Sequence, residues 1–94
     1  MLRVRLSPEQ IADHLQTVPG WADVGGKLSR TFEFPSYSRG VVFAVAVSNV
    51  AEQMDHHPDL TICYQRVTIA VNTHDVGGIS PLDFELARRA ETLL

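Results

Sequence analysis

Two short segments carry most of the side chains in this sequence that could do chemistry. "MDHHPDL" (residues 54–60) holds His56 and His57, and "NTHDVGG" (residues 72–78) holds His74. These are three of the four histidines in the chain. Histidine exchanges protons near neutral pH and binds metals. The two segments therefore allow three interpretations: a proton-transfer site, a metal site or a polar loop.

The first segment should lie where a helix ends. Pro58 disfavours helical geometry at His57, so a preceding helix ends at Asp55 or His56. Glu52 lies four residues before His56, a helical spacing at which its carboxylate can orient the ring. Asp55 places a negative charge at the negative end of the helix dipole. An unfavourable residue at the end of an element marks a candidate site.

A β-hairpin should bring the two segments together. Residues 60–74 read as two strands around a turn at Gln65-Arg66, with inward-facing side chains at Leu60, Ile62, Tyr64, Val67, Ile69 and Val71. Because a hairpin returns to its own origin, Leu60 should lie close to Val71, and His74 close to His57. The sequence thus predicts three imidazoles around the open end of one hairpin.

A metal site is the weaker alternative for these histidines. Three histidines and a carboxylate would suit zinc, but the chain has no HExxH or other close ligand spacing. We therefore predict no metal. His14, on the first predicted helix, has no partner and is interpreted as a solvated surface residue. Cys63, the single cysteine, is interpreted as a small residue on a strand.

Capping signals mark the beginning of two helices. Ser7 is a predicted N-cap, with Pro8 at the first helical position and Gln10 completing a capping box. Ser80 and Asp83 repeat the pattern before the last helix, so Asp83 is interpreted as a cap rather than a ligand. The buried side of that helix is predicted to consist of Phe84, Leu86, Ala87, Ala90, Leu93 and Leu94.

The middle of the chain is ambiguous between strand and helix. Residues 41–47, "VVFAVAV", have strand propensity, but apolar residues recur at helical spacing over a longer stretch. We predict a helix from about Ser38 to Asp55, with a buried stripe of Gly40, Phe43, Ala44, Val47, Val50, Ala51 and Met54. Val41 and Val45 fall outside this stripe, and their apolar surface predicts a second packing partner such as another subunit.

These elements predict an α+β fold of order α-β-β-α-β-β-α, in which three helices cover one face of a four-stranded antiparallel sheet. A turn at Gly25-Gly26 joins the first two strands. We expect residues 1–94 to form a single domain. The net charge of −3 leaves no basic footprint for nucleic acid. No signal peptide or membrane-spanning run is recognisable, so we expect a cytoplasmic protein without nucleic acid or membrane partners.

The stretch "EQMDHHPDLTICYQRVTIAVNTHDVGGISPLDFELA" (residues 52–87) resembles the core of the pterin-4a-carbinolamine dehydratases. Their pattern is E-x-x-x-H-H-P, a tyrosine near the hairpin turn, then T-H-[DE]-x-x-G-[LI]-[ST]-x-x-D. The resemblance implies dehydration of 4a-hydroxytetrahydrobiopterin, or a related reduced pterin, to the quinonoid dihydropterin. This reaction recycles the pterin after aromatic amino acid hydroxylation. The resemblance implies no metal or redox cofactor, because nothing is oxidised overall.

The resemblance also implies roles for individual residues. His56, His57 and His74 match the family's active-site histidines. His56 and His74 would form the acid/base pair, in either order, and His57 would orient the pterin. The residues expected to orient the rings or to bind the polar edge of the pterin are Glu52, Asp55, Thr73 and Asp75.

Finally, the resemblance implies homodimers joined through the sheet, or homotetramers packed through the long helix. Family members in animals also bind a transcription factor, and relatives that lost the histidines serve as assembly chaperones. The alternative function for this chain is therefore a dimerisation or assembly module without turnover. The intact histidines favour the enzyme.

Overall fold

The computed structural model describes residues 3–94. Along the chain, the elements are α1 (Pro8–Leu15), β1 (Ala22–Val24), β2 (Lys27–Glu33), α2 (Tyr37–Met54), β3 (Asp59–Ile62), β4 (Arg66–Val71) and α3 (Pro81–Glu91). A 3-10 turn, His74–Val76, lies between β4 and α3. The predicted element order and fold class are confirmed. No helix within residues 3–94 is both long and apolar enough to cross a bilayer.

The four strands form one antiparallel sheet in the order β1-β2-β4-β3. The central pairing joins the two hairpins, with Leu28 opposite Val71 and Phe32 opposite Val67. These four side chains are buried on the face that the helices cover. The opposite face carries mostly polar and charged side chains, which are exposed or half-buried. The sheet therefore has the one-sided burial typical of antiparallel α+β proteins.

Helix α2 packs on the sheet through the predicted stripe. Gly40, Phe43, Ala44, Val47 and Ala51 are buried, while Val50 and Met54 are half-buried. A Cβ atom on Gly40 would lie 3.2 Å from Cγ2 of Val67. A glycine there lets the helix approach β4 closely.

The outer face of α2 differs from the prediction in one residue. Val45 is 55% exposed, as expected, and Val42 is 67% exposed. Val41 is half-buried, so the prediction that it belongs to the exposed pair is wrong. Val42 and Val45 are three residues apart and therefore lie on the same outer side of the helix, whereas Val41 lies at the edge of the buried stripe.

Local signals in the sequence correctly predicted the first hairpin turn and the starts of α1 and α3. Ser7 and Gln10 form one capping box, and Ser80 and Asp83 form the other. Gly25 and Gly26 have φ angles of 60° and 85°. Two successive positive φ angles are what a tight hairpin turn requires.

The second hairpin turns about one residue earlier than predicted. Residues 63–65 connect the strands, which pairs Leu60 with Ile69 rather than with Val71. Ile62 pairs with buried Val67 and so lies on the inward face, as predicted, although its side chain is 42% exposed. Tyr64 lies beyond the end of β3 and is 74% exposed, so its predicted inward orientation is wrong. Because β3 is an edge strand, its distal end lacks the neighbours that cover β4. Cys63 is also exposed, just beyond the end of β3.

Two further predictions are wrong at the two terminal helices. His14 is half-buried rather than a solvated surface residue, and its ring stacks on Phe84 with centroids 4.8 Å apart. Leu94 is 65% exposed because α3 ends at Glu91, before the apolar pattern does. The other predicted core positions of α3 are buried, except Leu93, which is half-buried.

Candidate active site

Asp55 reverses the chain at the end of α2. Within residues 3–94 it is the only residue other than glycine with a positive φ, at 50°. The turn is closed by a hydrogen bond of 3.0 Å from the backbone N–H of His56 to the carbonyl of Ala51. This is a common way to end a helix, and aspartate is among the few residues that tolerate the left-handed conformation. The reversal sends His56 and His57 in different directions.

His56 faces the protein interior and is 6% exposed. Its Nε2 lies 2.5 Å from Oδ1 of Asp83, whose side chain is fully buried. Burial of a polar group is costly unless a partner satisfies it. The His56–Asp83 contact satisfies both groups and ties the C-terminal end of α2 to the first turn of α3.

The second oxygen of Asp83 is hydrogen-bonded as well. Oδ2 accepts from the backbone N–H of Ser80 and from Oγ1 of Thr73, both at 2.9 Å. Oγ1 of Thr73 lies 2.5 Å from Oγ of Ser80. We call His56, Thr73, Ser80 and Asp83 the buried polar network. Asp83 is a helix cap, as predicted, but the interpretation of it as a cap alone missed its contact with a candidate catalytic histidine.

His57 faces solvent and pairs with Glu52. Its Nε2 lies 2.8 Å from Oε1 of Glu52, and the two side chains are 58% and 74% exposed. The prediction that Glu52 orients His56 is wrong. The chain reversal at Asp55 brings His57 over the last turn of α2, while His56 turns inward.

His74 follows Thr73 and begins the 3-10 turn. Its side chain is exposed and makes no hydrogen bond within residues 3–94. The adjoining backbone is held by a bond of 2.8 Å from the N–H of Thr73 to the carbonyl of Gly78. Asp75 is exposed and lies 3.3 Å from Nη1 of Arg3.

The predicted site residues lie at one end of the β3–β4 hairpin. Asp59 pairs with Ala70, and continuing that pairing by three residues brings His56 level with Thr73. The carboxylate of Asp83 bridges these two side chains. The residues that follow them, His57 and His74, are exposed at the same end. Across residues 3–94, no hydrogen bond joins the three imidazole rings, and the exposed side chain of Asp55 has no hydrogen-bond partner.

No group of three or more His, Cys, Asp or Glu side chains within residues 3–94 is arranged to hold a metal ion.

Neither of two well-formed grooves on the surface of residues 3–94 is lined by the three histidines. The larger, of about 470 Å³, lies between the start of α1 and Gly77-Gly78. The smaller, of about 300 Å³, lies beside the end of α2 and is lined by Arg3, Gln53, Met54, Leu82, Glu85 and Arg89. In the smaller groove, the pKa of Glu85 lies below its usual value, chiefly because Arg89 donates a hydrogen bond to the carboxylate. Partial burial opposes this effect, and Arg88 reinforces it.

Sequence reasoning missed Asp83 as the partner of His56, Ser80 as a partner of Thr73 in the buried polar network, and Arg3 as a partner of Asp75. For Asp83 a signal was available, because the motif that contains the two histidines ends on this aspartate. Nothing in the sequence indicates which histidine it contacts, 27 residues earlier.

Comparison with known proteins identifies one family and several relatives that carry its name. A model of the family described as Pterin 4 alpha carbinolamine dehydratase matches residues 4–93. A protein of Thermosynechococcus vestitus, provisionally named a pterin-4-alpha-carbinolamine dehydratase, is 45% identical over 84 residues, which cover 89% of this chain and 88% of the relative. A Streptomyces avermitilis protein with the same provisional name is 44% identical over 89 residues, covering 94% and 88%.

Two solved structures share the fold. A protein of Brucella melitensis described as a transcriptional coactivator/pterin dehydratase superposes with a TM-score of 0.89 at 31% identity, covering 95% of this chain and 97% of that one. A pterin dehydratase-like protein described as a RuBisCO assembly factor in the alpha-carboxysome gives a TM-score of 0.66 at 23% identity, covering 79% and 88%. The second likeness concerns the fold alone.

Proposed function

Because the chain belongs to the pterin-4a-carbinolamine dehydratase family, we propose that it dehydrates a 4a-hydroxytetrahydropterin to the quinonoid dihydropterin. The substrate would be 4a-hydroxytetrahydrobiopterin or a close relative, and the hydro-lyase reaction would recycle a reduced pterin cofactor. The observation that best supports this proposal is the contact of 2.5 Å between His56 and a fully buried aspartate, because it equips one histidine of the motif for proton transfer.

The reaction needs one acid and one base. The bond between C4a and the hydroxyl oxygen breaks, and that oxygen takes a proton and leaves as water. The neighbouring ring nitrogen loses a proton, and its electron pair forms the new C=N bond. No electron is gained or lost, so two positioned proton transfers suffice. Each is worth about 10²–10⁴-fold in rate.

His56 and His74 are the proposed acid/base pair. The buried carboxylate of Asp83 lies behind the ring of His56 and holds it in one orientation. The side chain of His74 is exposed at the same end of the hairpin and is free within residues 3–94 to meet a ligand. Thr73 supports this pair through Asp83, because its hydroxyl bonds to that carboxylate inside the protein.

His57 is the proposed pterin-orienting residue. Glu52, in the last turn of α2, fixes the ring of His57 through the contact of 2.8 Å between its Oε1 and the ring Nε2. The exposed carboxylates of Asp55 and Asp75 lie on either side of the hairpin end, where they can accept hydrogen bonds from the amino-pyrimidine edge of a pterin. Glu52 would reach the substrate through His57 rather than directly.

A direct assay tests the enzymatic proposal. Purified protein treated with a chelator should accelerate dehydration of a 4a-hydroxytetrahydropterin over the uncatalysed rate. His74→Ala should lower kcat by about 10²–10⁴-fold. His14→Gln changes the one histidine outside the site and serves as the matched control. Loss of activity in both variants alike, or in neither, would contradict the assignment.

We also propose that the chain forms homodimers or homotetramers. The support is the exposed apolar surface of α2, made of Tyr37, Val42 and Val45, which are 54%, 67% and 55% exposed. Surface of this kind is commonly buried by a partner. The alternative function, an assembly module without turnover, would use the same surface.

Light scattering and the activity assay together separate these possibilities. Val42→Glu with Val45→Glu should lower the molar mass in solution, whereas Ala12→Glu on the exposed side of α1 should not. A wild-type protein that associates with itself but shows no turnover would favour the assembly module. A wild-type protein that is monomeric would contradict the proposed oligomer.

A further inference from the structure

The loop that carries His74 is closed by its own backbone. We call residues 73–78 the His74 loop. At its base, the N–H of Thr73 donates to the carbonyl of Gly78 at 2.8 Å, and Gly77 reverses the chain with a φ of 68°. The ring of His74 is exposed and has no hydrogen-bond partner within residues 3–94. Its position therefore depends on the backbone of this loop.

The two ends of the His74 loop are held in different ways. Thr73 is fixed from inside the protein, because its hydroxyl belongs to the buried polar network. Gly78 is half-buried and is covered by the side chain of Arg5. A Cβ atom placed on Gly78 would lie 3.0 Å from Nε of Arg5, 3.2 Å from its Cγ and 3.3 Å from its Cδ. A glycine at this position thus lets the Arg5 side chain lie directly against the loop backbone.

The segment that carries Arg5 runs beside the His74 loop. Leu6 is buried, and its backbone N–H donates to the carbonyl of Ile79 at 2.8 Å. Nη1 of Arg3 lies 3.3 Å from Oδ1 of Asp75. These contacts hold the segment in place on both sides of Arg5. An arginine can pack its apolar stem on a surface while its guanidinium stays in water, and the exposed Arg5 is placed to do so over the loop.

We propose that Arg5 is a positioning residue for His74, which acts by packing on Gly78 and so keeping the His74 loop closed. This inference rests on the proposed function, in which His74 transfers a proton. Arg5 acts through the loop and does not contact the substrate. A general acid or base must lie within hydrogen-bond reach of its target, and a displacement of about 1 Å can cost about 10²-fold in rate.

Two substitutions of Arg5 test the role of its stem. Arg5→Ala uncovers Gly78, so kcat should fall about tenfold to 10²-fold while KM changes less than about threefold. Arg5→Met keeps a stem of similar length without the charge, and its kcat should stay within about threefold of wild type. Arg66→Ala removes an exposed arginine at the other end of β4 and is the matched control, with kcat unchanged.

Two kinetic results would overturn the proposal. A raised KM with a wild-type kcat in Arg5→Ala would assign Arg5 to substrate binding instead of positioning. Equal losses of kcat in Arg5→Ala and Arg5→Met would show that the charge of Arg5 matters and its stem does not.

Amide hydrogen exchange followed by NMR tests the loop without an activity assay. In Arg5→Ala, the amide of Thr73 should exchange at least about threefold faster than in wild type, because the loop opens more often. The amides that pair β2 with β4 should keep their wild-type rates. An unchanged rate at Thr73 would overturn the proposal. So would equal acceleration of all these amides, because it would show a loss of global stability alone.

Gly78→Ala tests the same contact from the other side. The new methyl group would displace the Arg5 side chain, so kcat should fall about threefold to tenfold. The double variant Arg5→Ala/Gly78→Ala should be no less active than Arg5→Ala, because both changes remove one contact. Losses that multiply would contradict the proposal. A wild-type protein without turnover contradicts the proposed function, and the exchange rate of Thr73 then still decides whether Arg5 holds the loop.

Discussion

Nε2 of His56 lies 2.5 Å from Oδ1 of Asp83, although the two residues are 27 positions apart in the sequence. The contact joins the end of α2 to the beginning of α3 across the end of β4. Both side chains are buried, so the contact is isolated from competing water. A single pair therefore links the stability of the fold to the chemistry proposed for it.

Asp83→Ala should destabilise the protein strongly. The change leaves His56, Thr73 and the backbone N–H of Ser80 without their buried acceptor. Loss of one partner from a buried pair costs about 3–5 kcal/mol. Urea unfolding followed by circular dichroism measures the change. Asp13→Ala, at an exposed position on α1, should stay within about 0.5 kcal/mol of wild type. Equal stability of the two variants would contradict the importance of the buried polar network.

Substitutions at Asp55 should separate backbone geometry from side-chain chemistry. Its φ of 50° is easy for glycine and difficult for a β-branched residue. Asp55→Gly should keep or raise the stability, whereas Asp55→Val should lower it by about 1–2 kcal/mol. If the carboxylate binds the pterin, Asp55→Gly should raise KM despite its intact stability. A wild-type KM in that variant would remove Asp55 from the binding residues.

Glu52→Gln should affect substrate binding more than folding. The pair between Glu52 and His57 is largely exposed, and exposed ion pairs contribute about 0–1 kcal/mol. Stability should therefore change little. KM should rise by about threefold to tenfold, because the ring of His57 loses the negative charge of its partner and a glutamine amide holds it less firmly, while kcat changes less. Glu9→Gln, on the exposed surface of α1, is the control. A large fall in kcat with an unchanged KM would indicate that His57 takes part in proton transfer instead.

Arg30 should not tolerate replacement by lysine. Its Nη1 lies 2.6 Å from both carboxylate oxygens of Glu91, and its guanidinium carbon lies 4.5 Å from the centre of the Phe32 ring. Glu91 also accepts a hydrogen bond from Trp21. Lysine cannot stack as a planar group, so Arg30→Lys should cost about 1 kcal/mol. Arg39→Lys, at an exposed position of α2, should cost less. Thermal unfolding compares the two.

Glu85 should contribute stability that depends on pH. Its pKa in the folded protein is lowered, chiefly by the hydrogen bond from Arg89. A carboxyl group of this kind stabilises the fold above its unfolded pKa, and the contribution is lost as the pH falls through the folded pKa. Glu85→Gln should therefore be less stable than wild type at pH 7, by under about 1 kcal/mol, with a smaller difference near pH 3. A difference that grows on acidification would contradict this sign.

Arg30 also shows why some residues resist interpretation from sequence. Arg30 lies between Leu28 and Phe32 on the face of β2 that points to the core, a position where the alternation predicts an apolar side chain. In the fold, its stem and guanidinium lie over Phe32 while Glu91 satisfies the charge. The partner comes from the last helix, 61 residues away, and no local pattern could have named it.

The sequence by itself determined the elements, their order and the end of the hairpin where the histidines collect. Capping boxes, paired glycines and apolar periodicity act over a few residues, so they can be read without coordinates. Only the tertiary structure decided which histidine turns inward and which carboxylate each one meets. The left-handed backbone conformation of Asp55 and the register between β3 and β4 set those directions. Packing between distant elements selects such contacts, because a buried polar group must find its partner wherever the fold brings one near.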